Sequence, residues 1–191
     1  MPKKAKFTRE EITEAAFSLV REEGAKALTA RSLAARLGTS TAPIFTAFDS
    51  TEDLINAVKE RAGALYESYL YDGMKQPLPF KGAGLAYIRF AKEEPRLFRF
   101  LFIECDTPSP FATPHYLPGN DKNEEAVRKA LEATHNYETE RAKFIYNHLT
   151  VYVHGLAALY AYGNCTFTEN DIDRMLSEVF TALTGKTTEG K

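Results

Sequence analysis

The chain has no tryptophan, two cysteines and three methionines among its 191 residues. Cys105 and Cys165 are too few and too far apart to form a disulfide framework or a zinc site, and a reducing cytosol is the simplest compartment. Both read as small hydrophobes rather than redox groups. No apolar run approaches the roughly 20 residues that cross a bilayer, so no membrane partner is expected. The start, Met1-Pro2-Lys3-Lys4-Ala5-Lys6, is followed by polar Thr8-Arg9-Glu10-Glu11 instead of an apolar stretch, and is not read as a signal peptide. A phosphate-cradling Gly-rich loop, a His-Glu-x-x-His pair and a nucleophile elbow are all missing. His115, His135 and His148 lack metal-ligand spacing. The expectation is no enzyme, no cofactor and no metal.

Charge is also scarce as a net quantity, at -2. Its distribution is uneven. Residues 1–48 carry eight Lys and Arg against five Asp and Glu, a balance of +3, while residues 49–191 balance at -5. A basic start on an acidic body suits a segment that approaches phosphate, although chance alone also produces such an asymmetry.

What is plentiful is helical punctuation. Thr8 with Glu11 forms a capping box ahead of an apolar stripe, Ile12, Ala15, Ala16, Leu19 and Val20, and Gly24 closes that helix. Thr29 caps a short second helix with Leu33, Ala34 and Leu37 on its inner side, and Gly38 breaks it. Ser40 is expected to cap a third helix, Thr41 to Phe48, where Pro43 sits harmlessly in the first turn. Asp49 and Ser50 end it and cap a long fourth helix with Leu54, Val58, Leu65 and Tyr69 on one side. Gln76-Pro77-Leu78-Pro79 reads as a bend. Further helices are expected over 82–94, 96–104, 124–136 and 138–162, with a proline-rich loop at 107–121. A last helix follows the Thr168 and Asp171 capping pair. No strand is convincing. The fold class is all-α, with about nine helices by this punctuation.

Residues 29–48 form the informative segment. Two short helices meet at a Gly turn, which lets the second lie in a major groove while the first braces it. Leu33, Leu37, Ile44 and Phe48 lock the pair against the first helix. Thr39, Ser40, Thr41 and Thr46 stay free to meet phosphate or base edges. The start of the third helix also aims backbone N–H groups at phosphate.

This segment, with residues 7–24 before it and 49–58 after it, resembles the DNA-binding domain of the TetR family of transcriptional regulators. The resemblance rests on Leu28-Thr29, Leu33-Ala34, Leu37-Gly38-Thr39-Ser40, Ile44-Phe45, Phe48 and Glu52-Asp53-Leu54. It implies a DNA-contacting set of Thr29, Arg31, Thr39, Ser40, Thr41, Ala42, Pro43, Phe45, Thr46 and Thr51. Three positions depart from the family. Phe45 replaces a phenol, Ala47 a common His, and Thr51 a Lys. The phenol and the Lys typically touch phosphate, so fewer such contacts imply weaker, less salt-sensitive binding. Lys3, Lys4 and Lys6 read either as a compensating basic arm or as a solvated terminus. Arg31 reads as a phosphate contact and Arg36 as surface charge.

The remainder resembles the C-terminal domain of one TetR branch, the WHG type, through residues 87–102 and His154-Gly155, although Val153 stands where that branch has Trp. In the family the last two helices pair with their copies in a second subunit. The apolar stripe Ile172, Met175, Leu176, Val179, Phe180 and Leu183 is the expected homodimer interface, unless it only closes the chain's own core. Tyr87, Phe90, Phe98, Phe102, Tyr152, His154 and Tyr160 either line an effector pocket or are ordinary core. The domains expected are a helix-turn-helix over 1–53, a regulatory and dimerisation domain over 54–185, and a disordered tail from 186. The resemblance implies a cytoplasmic, ligand-responsive repressor that binds palindromic double-stranded operator DNA as a dimer. The competing reading is a ligand- or protein-binding module that keeps the frame but has little operator affinity.

Overall fold

The computed structural model describes residues 7–104 and 124–185. The loop expected at 107–121, Cys105, His115, the lysine arm and the tail from 186 lie outside the described residues. Within them the chain is helical, with no strand. The order is α1 (Arg9–Glu23), a 3-10 turn (Ala25–Ala27), α2 (Ala30–Arg36), α3 (Ala42–Ala47), α4 (Thr51–Met74), α5 (Pro79–Glu93), α6 (Pro95–Phe102), α7 (Glu124–His135), α8 (Thr139–Ala161) and α9 (Glu169–Thr184).

Contacts divide these helices into two compact units. The first holds residues 7–65 and 96–104, and the second holds 66–95 and 124–185. The division falls inside α4, after Leu65, and returns α6 to the first unit.

In the first unit, capping starts the helices where polar side chains can meet orphan N–H groups. The Thr8 hydroxyl accepts from Glu11 N–H at 3.1 Å, and Glu11 accepts from Thr8 N–H at 2.8 Å. Ser50 Oγ accepts from Asp53 N–H at 3.0 Å at the start of α4. The core is Ile12, Ala16, Phe17, Val20, Leu33, Ile44, Phe48, Leu54 and Val58, joined by Leu97, Phe98 and Leu101 of α6. Arg61 of α4 lies 4.5 Å over the Phe17 ring and pairs with Glu14 of α1.

In the second unit α5 packs mainly on α8, which also receives α7 and α9. The buried face of α8 runs through Ala142, Ile145, Leu149, Val153, Leu156 and Ala157. Near the end of α4, Gly73 meets Gly82 of α5 backbone to backbone. A Cβ at Gly82 would lie 2.0 Å from the Gly73 carbonyl oxygen.

Three sequence expectations shift. α3 starts at Ala42 with Thr41 as its N-cap, and neither Thr41 nor Ser40 caps it through a side chain. Thr41 already has helical backbone angles, which turns its hydroxyl away from the capping position. α5 begins at Pro79 rather than Gly82, because a proline fits the first helical turn as well as a bend. The buried row of α4 is Leu54, Val58, Ala62, Tyr66 and Leu70, while Leu65 and Tyr69 are half-buried. A strict i+4 row drifts around the helix, and here its two halves serve different cores.

Candidate functional site

The turn between α2 and α3 is built by hydrogen bonds that the sequence Leu37-Gly38-Thr39 dictates. Gly38 N–H donates to Ala35 O at 3.1 Å and Thr39 N–H to Ala34 O at 3.0 Å. Gly38 has φ 62°, the left-handed conformation that closes a helix in this double-bonded way. A Cβ at Gly38 would meet nothing within 4 Å, so backbone conformation rather than space selects glycine. The Thr29 hydroxyl opens α2 by accepting from Ser32 N–H at 3.1 Å. A tight turn therefore joins two helices of seven and six residues.

One face of α3 is fastened inward and the other is open. Ile44 and the following Phe48 are buried. Ala42, Phe45 and Thr46 are exposed, Phe45 by 57%. The far end of α3 is held by Arg9, from the first turn of α1. Its Nη1 donates to Ala47 O at 2.8 Å and to Asp53 Oδ2 at 2.9 Å, and its Nη2 donates to Asp53 Oδ1 at 2.5 Å. The guanidinium also lies 4.2 Å over the Phe48 ring. Asp53 in turn accepts from Asp49 N–H at 3.1 Å. The Arg9 guanidinium, then the Asp49 N–H, hold the Asp53 carboxyl down at about 2.

Of the ten expected DNA-contacting residues, Thr29, Arg31, Ser40, Ala42, Phe45, Thr46 and Thr51 are exposed on this unit, and Thr39, Thr41 and Pro43 are half-buried. Two of their hydroxyls are already engaged. Thr29 serves as the cap, and Thr46 Oγ1 donates to Ala42 O at 2.9 Å, so the hydroxyl expected to face outward turns back to its own helix. Arg36, read as surface charge, forms a two-bond ion pair with Glu22 at 2.6 and 3.0 Å. Arg9 was not among the expected site residues. Its partner Asp53 lies 44 positions away, and only the packing of α1 against α4 brings them together.

The aromatic set expected to line a pocket divides. Phe98 and Phe102 belong to the first unit, their rings tilted against each other at 5.1 Å. Tyr87, Phe90 and His154 meet in the second unit. The Tyr87 hydroxyl lies 2.9 Å from His154 Nδ1, and burial lowers the pKa of that imidazole below its ordinary value. Tyr66 and Tyr69 of α4 complete this cluster. Tyr66 stands edge-on to Tyr87 at 5.8 Å, and Tyr69 edge-on to Phe90 at 5.3 Å. Tyr69 donates to Glu93 at 2.7 Å, and burial with that carboxylate pushes its phenol up to about 12. Neither tyrosine is among the expected pocket residues, although Tyr66 follows the helical row set by Leu54 and Val58 and Tyr69 reads on the apolar side of α4. Tyr152 is half-buried. Tyr160 instead ties down the α8–α9 connection, donating to Phe167 O at 2.5 Å.

The expected dimer stripe on α9 is partly consumed within the chain. Ile172 and Leu176 are buried, and Phe180 packs on His135 at 4.9 Å and on Phe80 at 6.4 Å. Met175, Val179 and Leu183 are half-buried. The larger apolar exposure is on α8 and the residue that caps it, at Phe144, Val151, Leu159 and Tyr162. With His148 and Gly155 these fall at i, i+4, i+7, i+11, i+15 and i+18, one stripe along the helix. That periodicity was available in the sequence.

No group of three or more His, Cys, Asp or Glu among the described residues could hold a metal ion. No helix among them is long and apolar enough to cross a membrane.

Comparison with known proteins places this geometry. A family model described as "Bacterial regulatory proteins, tetR family" matches residues 12–58, and one described as "Tetracyclin repressor-like, C-terminal domain" matches residues 80–183. No curated protein matches the chain. Among solved structures, a TetR-like transcriptional regulator from Rhodococcus sp. RHA1 is similar with a TM-score of 0.63 at 16% identity, over 93% of this chain and 97% of that one. At that identity the likeness is one of fold.

Proposed function

Because the chain belongs to the TetR family of bacterial regulators, whose members bind DNA rather than catalyse reactions, we propose that it is a cytoplasmic, ligand-responsive repressor that binds a palindromic operator as a homodimer. The observation that carries this reading is the open face of α3. It is held between the Gly38 turn and the Arg9 clamp, with Arg31, Ser40 and Thr51 exposed around it. A short, rigidly braced helix with one bare face suits a major groove.

The second unit supplies the other two parts of the proposal. The Tyr66, Tyr69, Tyr87, Phe90 and His154 cluster combines ring faces with a phenol–imidazole hydrogen bond, the chemistry that recognises a mostly apolar effector with a polar end. His154-Gly155 on α8 is the basis for assigning the WHG branch. The α8 stripe, with Met175 and Val179 of α9, is the surface offered to a second copy. An effector acts on DNA affinity only if it binds the two states of the dimer differently.

The test is an electrophoretic shift of the gene's own upstream DNA at rising salt. Binding that weakens as salt rises is expected, with Arg31→Ala, Thr41→Ala reducing affinity about tenfold or more, the typical loss from removing one or two groups at a DNA interface. Unchanged affinity in that double variant sinks the assignment of this face. One observation favours a second reading, a binding module with little operator affinity: α3 holds no charged residue, and Phe45 and Thr51 lack the groups that usually grip phosphate. Absence of any retained DNA at low salt favours that module.

A further inference from the structure

We propose that the open face of α3 reads thymine through its 5-methyl group, with Phe45 as the principal specificity-determining residue. The proposal rests on the DNA-binding reading above and goes beyond it by naming the base that this chain selects.

The argument begins with what α3 offers. Its six residues, Ala42-Pro43-Ile44-Phe45-Thr46-Ala47, include no charged side chain and no amide. Ile44 is turned into the core. Outward stand the Ala42 methyl, the Phe45 ring and Thr46. The Thr46 hydroxyl is bonded to the Ala42 carbonyl, so what that residue presents to solvent is largely its methyl. Phe45 is the one exposed large hydrophobic residue among the described residues of the first unit.

Each base edge in the major groove asks for a different partner. Guanine takes paired donors from Arg or Lys, adenine takes an Asn or Gln amide, and cytosine takes a carboxylate. None of these is on α3. Thymine alone presents an apolar group, and a ring flanked by methyls is its complement. The surroundings fit a duplex rather than an apolar protein surface. Arg31 and Lys26 are exposed on the same unit, while Arg9 and Arg36 are held by Asp53 and Glu22. An apolar face on a unit that also exposes Arg31, Lys26 and Ser40 matches a methyl-lined groove between phosphate strands.

The experiment uses the full chain. A duplex is recovered by selecting bound genomic fragments, and copies are made in which each thymine in turn is replaced by deoxyuridine, which removes only the methyl. The expected result is a loss of about fourfold in affinity for each methyl that meets α3, the size that burial of one methyl predicts, with no loss elsewhere in the site. Phe45→Ala should abolish the difference between thymine and uracil while leaving the circular dichroism spectrum unchanged, since the ring is exposed. Equal binding to thymine and fully uracil-substituted duplexes overturns the proposal and leaves the regulator reading intact. A methyl effect that persists undiminished in Phe45→Ala overturns the role of Phe45. Failure to retain any duplex at low salt overturns both readings.

Discussion

The Arg9 guanidinium reaches from α1 to the last carbonyl of α3 and the first turn of α4 at once. Its reach matters because α3 is too short to hold its own shape. Isolated helices of this length do not persist in water, so tertiary contacts must define it. Arg9 fixes the end of α3 that the Gly38 turn does not. The ion pair with Asp53 is exposed, and its worth lies in geometry rather than in raw stabilisation. The pH dependence has a definite sign. Asp53 is held at about 2, below its ordinary 3.8. A depressed carboxyl stabilises the fold fully above the ordinary value and loses that contribution as pH falls through the folded value. Urea melts of the native chain and of Asp53→Asn should therefore differ by a constant amount from pH 7 to about pH 5, and the difference should shrink toward pH 2. A difference that does not change between those limits would show that the charge of Asp53 is irrelevant to the clamp.

At the scale of elements, two glycine positions illustrate different physics. Gly38 is required by its φ alone, and a side chain there costs about 1–2 kcal/mol of left-handed strain. Gly82 is required by space. Its would-be Cβ falls 2.0 Å from the Gly73 carbonyl, so α4 and α5 must move apart before a methyl fits. Overpacking of this kind costs about 1–3 kcal/mol, and the clash here is with backbone, which cannot rotate away. Gly82→Ala is expected at the upper end of that range and above Gly38→Ala, measured by denaturant melts. Equal or smaller destabilisation at Gly82 would mean that the crossing is looser than the geometry states. The contrast also explains what the sequence made legible. Caps such as Thr8 with Glu11 and Thr168 with Asp171 act within four residues, so α1 and α9 were placed closely. Gly38 was readable because its motif is local. The Gly73–Gly82 crossing and the Arg9–Asp53 pair were not, because neither residue's neighbours in sequence point to its partner in space. The start of α3 was misplaced by one residue for a related reason: Ser40, Thr41 and the turn all satisfy the same local pattern.

At the scale of the whole molecule, the question is what covers the apolar stripe of α8. Val151 is 52% exposed and Leu159 42%, both directed away from the core that Leu149, Val153, Leu156 and Ala157 fill. A helix with buried residues on one side and apolar residues on the other has a second surface to satisfy. The exposed Gly155 lies midway, and a Cβ there meets nothing within 4 Å, which leaves room for another helix to approach closely. The expectation from the sequence pairs the last two helices with their copies and names the α9 stripe. An amphipathic stripe says that a face is buried without saying by what, and since Ile172 and Leu176 close the chain's own core, α8 carries more of the exposed apolar surface. Under the proposed homodimer, charges placed on α8 should separate the copies without unfolding either one. Val151→Arg with Leu159→Glu is the decisive variant, read by sedimentation velocity and by circular dichroism. The expected outcome is a folded monomer. Such a monomer should still bind a single half-site weakly, but it should lose the gain from engaging two half-sites at once, about a hundredfold or more when two modules are linked at a fitting distance. A variant that remains dimeric, or a native chain that is already monomeric at micromolar concentration, would move the partner surface off α8 and leave the exposed stripe to another occupant.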